Sequence, residues 1–337
     1  MAIKNGTAGA DTLIGTNVAD QLFGKDGNDI LKGLAGPDLL DGGNGTDTAN
    51  YSGSAGGVGV DLARGSGLRF DAEGDTYTSV ENVVGSAFGD DLTGNSLANL
   101  LNGGLGNDNL LGGGGSDTLL GGGGNDFFQG GTAADVISGG GGKDFLSYAN
   151  SILGVNVNLS TGQVTGGNAG GDTITGIEDL VGSADKDNLA GTATANFLSG
   201  FNGADRLFGF AGNDVLRGDG GADTMTGGEG ADRFEFDFVE HSPVGFFNRD
   251  VIQEFSHAQG DLIDLASIDA SPENPNTNSF EFLGKDALID APGQISYSFE
   301  GNNTVVEMNT VGGFDSAPEM QIQLQGHIDL VASDFIL

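Results

Sequence analysis

Between Gly6 and Glu235 the chain repeats a nine-residue pattern in which a single apolar residue, at position 8, follows a glycine-rich polar stretch. The clearest copies are Gly103–Leu111 (GGLGNDNLL), Gly112–Leu120 (GGGGSDTLL) and Gly121–Gln129 (GGGGNDFFQ). Each nonapeptide divides into a six-residue turn and a three-residue strand. In Thr118-Leu119-Leu120 the middle side chain points inward and its neighbours point out, as pleating requires. One such strand cannot bury its face, so copies must stack. The pattern predicts an all-β chain.

Three blocks keep this register. Five repeats start at Gly6, Gly15, Gly24, Gly33 and Gly42, and seven at Gly85, Gly94, Gly103, Gly112, Gly121, Gly130 and Gly139. Six more start at Gly182, Gly191, Gly200, Gly209, Gly218 and Gly227. All 18 have glycine at position 1, 12 have it at position 4, and position 8 is Leu, Ile, Met or Phe in all but one, Ala49. Two 34-residue stretches, 51–84 and 148–181, align with each other at an offset of 97. The alternation in Val58-Gly59-Val60-Asp61-Leu62 and in Val155-Asn156-Val157-Asn158-Leu159 reads as a half-buried strand. The expected organisation is a repeat block at 1–50, a β spacer at 51–84, a block at 85–147, the duplicate spacer at 148–181, a block at 182–235 and a C-terminal module at 236–337. That module holds strand-like runs at Arg233–Phe238, Asp250–Phe255, Asp261–Leu265, Gln294–Phe299, Thr304–Met308 and Glu319–Leu324, an aromatic-cored cap for the exposed end of a stack.

Composition narrows the chemistry. Of 337 residues 64 are glycine, and 48 acidic residues face 12 basic ones for a net charge of −36. Such a balance argues against nucleic acid, whose phosphates need lysine and arginine. No apolar run approaches the ~20 residues of a membrane span. With no cysteine there are neither disulfides nor thiolate metal sites. The first fifteen residues lack the basic, apolar and small-residue succession of a secretory leader.

Position 6 carries the charge. It is aspartate in 16 repeats and asparagine in two, Asn99 and Asn196. The consensus G-G-x-G-x-D-x-U-x resembles the RTX calcium-binding nonapeptide. In that family two nonapeptides make one turn of a right-handed parallel β-roll, so the resemblance implies that residues i and i+18 stack. Asp108, Asp126 and Asp144 then share one column, and Asp117 and Asp135 the other. Like charges about 5 Å apart repel, and a hard cation with oxygen ligands removes the difficulty. Calcium suits such a site, magnesium less so, and zinc least, since His241, His257 and His327 all lie outside the repeats.

By this resemblance the metal ligands are Asp11, Asp20, Asp29, Asp38, Asp47, Asp90, Asp108, Asp117, Asp126, Asp135, Asp144, Asp187, Asp205, Asp214, Asp223 and Asp232. Turn backbone at Gly24, Gly33, Gly103, Gly112, Gly121, Gly200, Gly209 and Gly218 would complete the sites. The repeats beginning at Gly85, Gly94, Gly182 and Gly191 lack glycine at position 4 and are expected to bind differently, as turns at block ends. About ten ions, fewer than one per repeat, are expected; they would bring the charge from −36 to about −16.

The C-terminal stretch, with GGEGADRFEFDF, RDVIQEF, GDLIDLASIDA and the ending Asp334-Phe335-Ile336-Leu337, resembles the C-terminal region of serralysin-type metalloproteases. It is also similar to the ends of family I.3 lipases and of alginate-epimerase R-modules. There such a region caps the roll, in a β-sandwich-like arrangement, and carries a signal read by a type I (ABC) exporter. The expected location is therefore extracellular, reached without an N-terminal signal peptide. The protease motif H-E-x-x-H-x-x-G-x-x-H and the lipase motif G-x-S-x-G are absent. The leading expectation is a non-enzymatic secreted calcium-binding protein with a structural, adhesive or signalling role. The alternative is the calcium-binding and secretion module of an RTX hydrolase, although Met1 opening almost directly into the first repeat reads as a complete product.

Overall fold

The computed structural model describes residues 1–245, 247–270, 279–287, 289–310 and 318–337. Position 8 decides how its strands stack. Leu101, Leu119 and Ile137 form one buried column and Leu110, Phe128 and Leu146 another, each with 0% exposure. Their strands pair in parallel with partners 18 residues on: Leu101 with Leu119, Leu119 with Ile137, Leu110 with Phe128, Phe128 with Leu146. Alternate repeats therefore feed two sheets, and two nonapeptides complete one coil of a parallel β-roll.

Several strands outrun the expected three residues. Leu100–Leu105, Asn109–Gly114 and Thr118–Gly123 continue from position 7 through position 3 of the next repeat. Gly104 pairs with Gly122 there, and a Cβ on Gly122 would sit under 3.0 Å from the Gly104 carbonyl. Glycine at position 2 lets the two backbones pass at that spacing.

The chain forms two compact units, Met1–Tyr148 with Gly162–Ile177, and Ala149–Thr161 with Glu178–Leu337. In the first, the stretch 51–84 is woven into both sheets. Asn82–Val84 lies between Thr48–Asn50 and Leu100–Leu105 as one more parallel rung. Thr76–Thr78 pairs with Leu39–Asn44, and Gly59–Asp61 with Asp91–Thr93, while Ser66–Leu68 runs antiparallel to both inserted strands.

In the second unit Asn156–Asn158 pairs with Asn188–Ala190 exactly as its counterpart does 97 residues earlier, in the same parallel sense. The first strands after the repeats extend both sheets: Asp250–Gln253 pairs with Thr224–Glu229, and Leu262–Asp264 with Arg233–Glu235. Met320–Gln325 follows in parallel, and Asn303–Asn309 and Gln294–Glu300 then add antiparallel strands. Phe234, Phe236, Phe255 and Phe335 are buried there. Among the described residues the helical elements are four three-residue 3-10 turns, and no helix is long and apolar enough to cross a membrane.

Candidate metal centre

The position-6 side chains stand in two ladders. Within the blocks Oδ1 of an aspartate accepts the backbone N–H of the residue 18 positions earlier: Asp108 from Asp90 at 2.8 Å, Asp126 from Asp108 at 2.8 Å, Asp135 from Asp117 at 2.8 Å, while Asp90 and Asp187 accept from Val58 and Val155 across the spacers. Asp205 accepts from Asp187 and Asp223 from Asp205, both at 2.8 Å. One oxygen of each carboxylate is thus spent on stacking coils. The fate of Oδ2 divides the 18 turns into two kinds.

In the first two turns of every block the turn satisfies its own position-6 side chain. Thr16 donates to Asp20 Oδ2 through its N–H at 2.6 Å and its hydroxyl at 2.7 Å. Ser86 N–H reaches Asp90 Oδ2 at 2.6 Å, and Ser183 N–H reaches Asp187 Oδ2 at 2.5 Å. Thr7 does the same for Asp11. Asn95 and Thr192 donate their N–H groups to Oδ1 of Asn99 and Asn196, each at 2.7 Å.

The other twelve turns are built differently. Their position-2 residues, from Lys25 (φ 83°) and Leu34 (φ 67°) through Gly104 (φ 105°) to Phe210 (φ 77°) and Gly228 (φ 106°), have left-handed backbone. So do their position-4 residues, eleven glycines and Ala133 (φ 83°). The position-2 N–H that caps Asp20 or Asp90 has no counterpart here. Among the described residues, Oδ2 of Asp29, Asp38, Asp47, Asp108, Asp117, Asp126, Asp135, Asp205, Asp214, Asp223 and Asp232 is buried with no hydrogen-bond partner. Asp144, in the twelfth such turn, is also fully buried.

Each of these oxygens faces main chain. A Cβ on Gly24, Gly33, Gly103, Gly112, Gly121, Gly200, Gly209 or Gly218 would come under 3.0 Å from Oδ2 of its own repeat's aspartate. At Gly24, Gly112, Gly121, Gly200 and Gly209 the same spot also lies under 3.0 Å from the carbonyl of the glycine 18 residues on. Carboxylate and carbonyl oxygens therefore converge beside a glycine that leaves room for them.

Electrostatics follow. Burial pushes Asp205 up to about 8, and Asp38, Asp108 and Asp135 up to about 7, with neighbouring aspartates adding to it. Burial alone lifts Asp117 to about 6. The Thr7 backbone and hydroxyl hold Asp11 below the ordinary carboxylate value, and Ala2 and Thr16 do so for Asp20. Asp90 and Asp187 stay raised because burial outweighs their serine contacts.

A buried, partnerless carboxylate oxygen beside main-chain carbonyls fits a hard divalent cation. Among the described residues no three histidine, aspartate or glutamate side chains converge, so such an ion draws on the main chain. All the expected aspartates lie in the turns, but Asp11, Asp20, Asp90 and Asp187 already have hydrogen-bond donors on the oxygen the others leave unpartnered. Missing glycine at position 4 sets the repeats of Gly85, Gly94, Gly182 and Gly191 apart; the structure adds those of Gly6 and Gly15, marked in the sequence by threonine at position 2.

Five ladder members lie outside the repeats, beyond the sequence expectation; one is Glu81, which accepts the N–H of Asp47 at 2.9 Å. Asp75 and Asp172 accept the N–H of Asp38 and Asp135 at 2.8 and 2.9 Å, and the hydroxyls of Tyr51 and Tyr148 cap their other oxygens. Asp250 and Asp261 accept from Asp223 and Asp232 at 2.8 and 3.1 Å. Asp250 Oδ2 is buried and partnerless like those of the repeats. Tyr51/Tyr148 and Asp75/Asp172 coincide in the duplicated spacer, which is the signal that could have found that pair.

Comparison with known proteins agrees with this geometry. The family model of the RTX calcium-binding nonapeptide repeat (4 copies) matches residues 5–31, 14–49, 84–119, 93–128, 120–150, 181–209 and 199–234. Among solved structures, the R3 subunit of the Azotobacter vinelandii mannuronan C5-epimerase AlgE6 is 31% identical over 45% of this chain and 79% of its own, with a TM-score of 0.33. The R2 subunit of the same enzyme is 30% identical over 48% and 92%, at a TM-score of 0.37. The extracellular lipase LipA from Serratia marcescens is 16% identical over 74% of this chain and 40% of its own, at 0.28. No curated protein sequence matches the chain. With seven matched segments spread over all three blocks, the chain belongs to the RTX proteins, whose nonapeptide repeats bind calcium.

Proposed function

We propose that this chain is an extracellular, non-enzymatic calcium-binding protein whose repeat blocks fold as they take up the metal. The observation that carries the reading is the buried, partnerless Oδ2 repeated in eleven of the twelve turns with left-handed positions 2 and 4. Asp29, Asp38, Asp47, Asp108, Asp117, Asp126, Asp135, Asp144, Asp205, Asp214, Asp223 and Asp232 present the carboxylates, and turn carbonyls such as those of Gly42, Gly130, Gly139, Gly218 and Gly227 stand beside them. Calcium supplies two positive charges and accepts six to eight oxygens in irregular geometry.

Without that charge the ladders hold stacked carboxylates in a poorly solvated position, and one apolar side chain per nonapeptide does little to offset it. Sites in the extracellular affinity class, about 10⁻⁴–10⁻³ M, stay unfilled in the cytosol. The chain then passes a type I exporter unfolded and folds outside by linkage. The exporter reads the C-terminal Asp334-Phe335-Ile336-Leu337 before folding, since the folded chain buries Asp334 and Phe335. The six segments from 1–50 to 236–337 act as calcium-ordered blocks, the spacers between them and a terminal cap. The resulting surface serves a structural, adhesive or signalling role.

Circular dichroism in chelator and then in calcium tests the reading. Strand signal should appear with calcium and be lost on chelation. Identical spectra in the two conditions would sink it.

A further inference from the structure

The split between the two kinds of turn is complete and ordered. The self-capped turns are those of Gly6 and Gly15, Gly85 and Gly94, Gly182 and Gly191, so each block opens with two of them. Two turns make one coil. Their position-2 residues are Thr7, Thr16, Ser86, Asn95, Ser183 and Thr192, and none has left-handed backbone. In every one the position-2 N–H donates to the position-6 side chain, at 2.5 to 2.7 Å.

The two states of the turn exclude one another. With φ negative at position 2, its N–H closes on Oδ2 and, where present, its hydroxyl adds a second donor. With φ positive the same N–H turns away, and Oδ2 is left beside the position-1 glycine without that donor. A donor already on Oδ2 occupies the lone pair a cation would use and adds no charge to the site. Asn99 and Asn196 go further, having no charge at all; their Nδ2 groups donate to the carbonyls of Glu81 and Glu178 at 2.7 and 2.6 Å.

We infer that the residue at position 2 decides whether a turn takes calcium, and that the leading coil of each block takes none. Serine, threonine or asparagine there supplies the donors that a cation replaces elsewhere. Each block thus begins with a coil whose carboxylates or amides are satisfied before any ion arrives, and on whose edge the calcium-dependent coils can build. The inference rests on the reading of the other twelve turns as calcium ligands.

The test counts ions on the full chain in saturating calcium, by equilibrium dialysis with radioactive calcium. The double variant Asp90→Asn/Asp187→Asn should bind as many ions as the parent, since the chain itself places asparagine at the same point of the neighbouring turns. Asp126→Asn/Asp214→Asn should bind two fewer. Loss of two ions from the first pair would overturn the inference while leaving the calcium reading intact. An unchanged count in the second pair would overturn both.

A converse variant guards against a fold defect that merely mimics loss. Ser183→Gly/Asp185→Gly converts GSADKD to GGAGKD, beside the carbonyl of Gly200 that already flanks Gly182. It should gain one ion. An unchanged count in that folded variant would refute the role of position 2.

Discussion

Asp108→Asn gives the sharpest quantitative test, because it removes a charge from the ladder without changing its shape. Asp108 is 2% exposed, and burial with flanking Asp90 and Asp126 pushes it up to about 7. An unfolded aspartate titrates near 3.9, so at neutral pH the ionised side chain destabilises the metal-free roll by at most about 4 kcal/mol. Water reaches the turn and screens the charge, which brings the working figure to about 1–2 kcal/mol. Asparagine removes that penalty but also removes one bound ion. A bound ion makes stability rise by about 1.4 kcal/mol for each tenfold increase in calcium above its dissociation constant. The two curves of stability against log calcium must therefore cross. The variant is the more stable protein in chelator and the less stable one at high calcium, with the crossing in the millimolar range for sites of about 10⁻⁴–10⁻³ M. Urea unfolding in a fixed concentration of a stabilising osmolyte keeps the chelated form measurable. Parallel curves, or a variant less stable at every calcium concentration, would refute the argument.

Acid should partly substitute for metal. Because Asp205, Asp38, Asp135 and Asp117 sit at about 8, 7, 7 and 6 when folded, above their unfolded value, the calcium-free fold binds extra protons and gains stability as pH falls from about 8 towards 4. Dichroism of calcium-stripped protein should show strand developing over that window, and a flat response would contradict it. Gly121→Ala, whose methyl would lie under 3.0 Å from Asp126 Oδ2 and the Gly139 carbonyl, should bind one ion fewer by equilibrium dialysis. Tyr148→Phe removes the 2.8 Å donor to buried Asp172 and should lower stability by about 1–3 kcal/mol in urea, in calcium as well as in chelator. Leu119→Ala opens the fully buried column and should cost about 2–5 kcal/mol by the same assay.

The parts of the fold visible in the sequence are those set by a short repeat. One apolar residue in nine gave the columns of Leu101, Leu119 and Ile137 and of Leu110, Phe128 and Leu146, because nothing else in a nonapeptide can fill a core. The spacers were harder. Alternation marked Gly59–Asp61 as a strand, but its pairing with Asp91–Thr93 spans 32 residues and follows from no local pattern. Asp250 and Asp261 sit outside any nonapeptide and join the ladders only because Asp250–Gln253 and Leu262–Asp264 pair with the last repeat strands. The same holds for position 6: sixteen identical aspartates hide two environments, set by a neighbour four residues earlier. Threonine and serine at position 2 read as ordinary turn residues until the direction of one N–H is known.

That N–H has an energetic counterpart in the turns that face carbonyls. Lys25, Leu34, Phe201, Phe210 and Asp219 hold left-handed backbone at position 2 without being glycine, with φ from 63° to 83°. Such a residue carries about 1–2 kcal/mol of strain. It is found at position 2 only where Oδ2 is left without a donor, so the strain and the site belong to the same turn geometry. Phe210 is the cleanest probe: it is 47% exposed, and its backbone pairs with Gly228, which has the same left-handed turn. Phe210→Gly removes the strain and adds about 0.5–1 kcal/mol of unfolded-chain entropy, leaving a net gain of roughly 0.5 kcal/mol. The four uncapped turns of that block take up ions together, so this gain is divided among them and the calcium concentration for half-folding should fall by about a fifth. Leu105→Gly is the control, since Leu105 is also exposed, at 62%, but has no left-handed backbone to relieve. There only the entropy term remains, and the midpoint should rise. Two exposed apolar residues replaced by glycine must then shift calcium-dependent folding in opposite directions; a shift of the same sign in both would mean that the left-handed turn stores no strain for the bound state to offset.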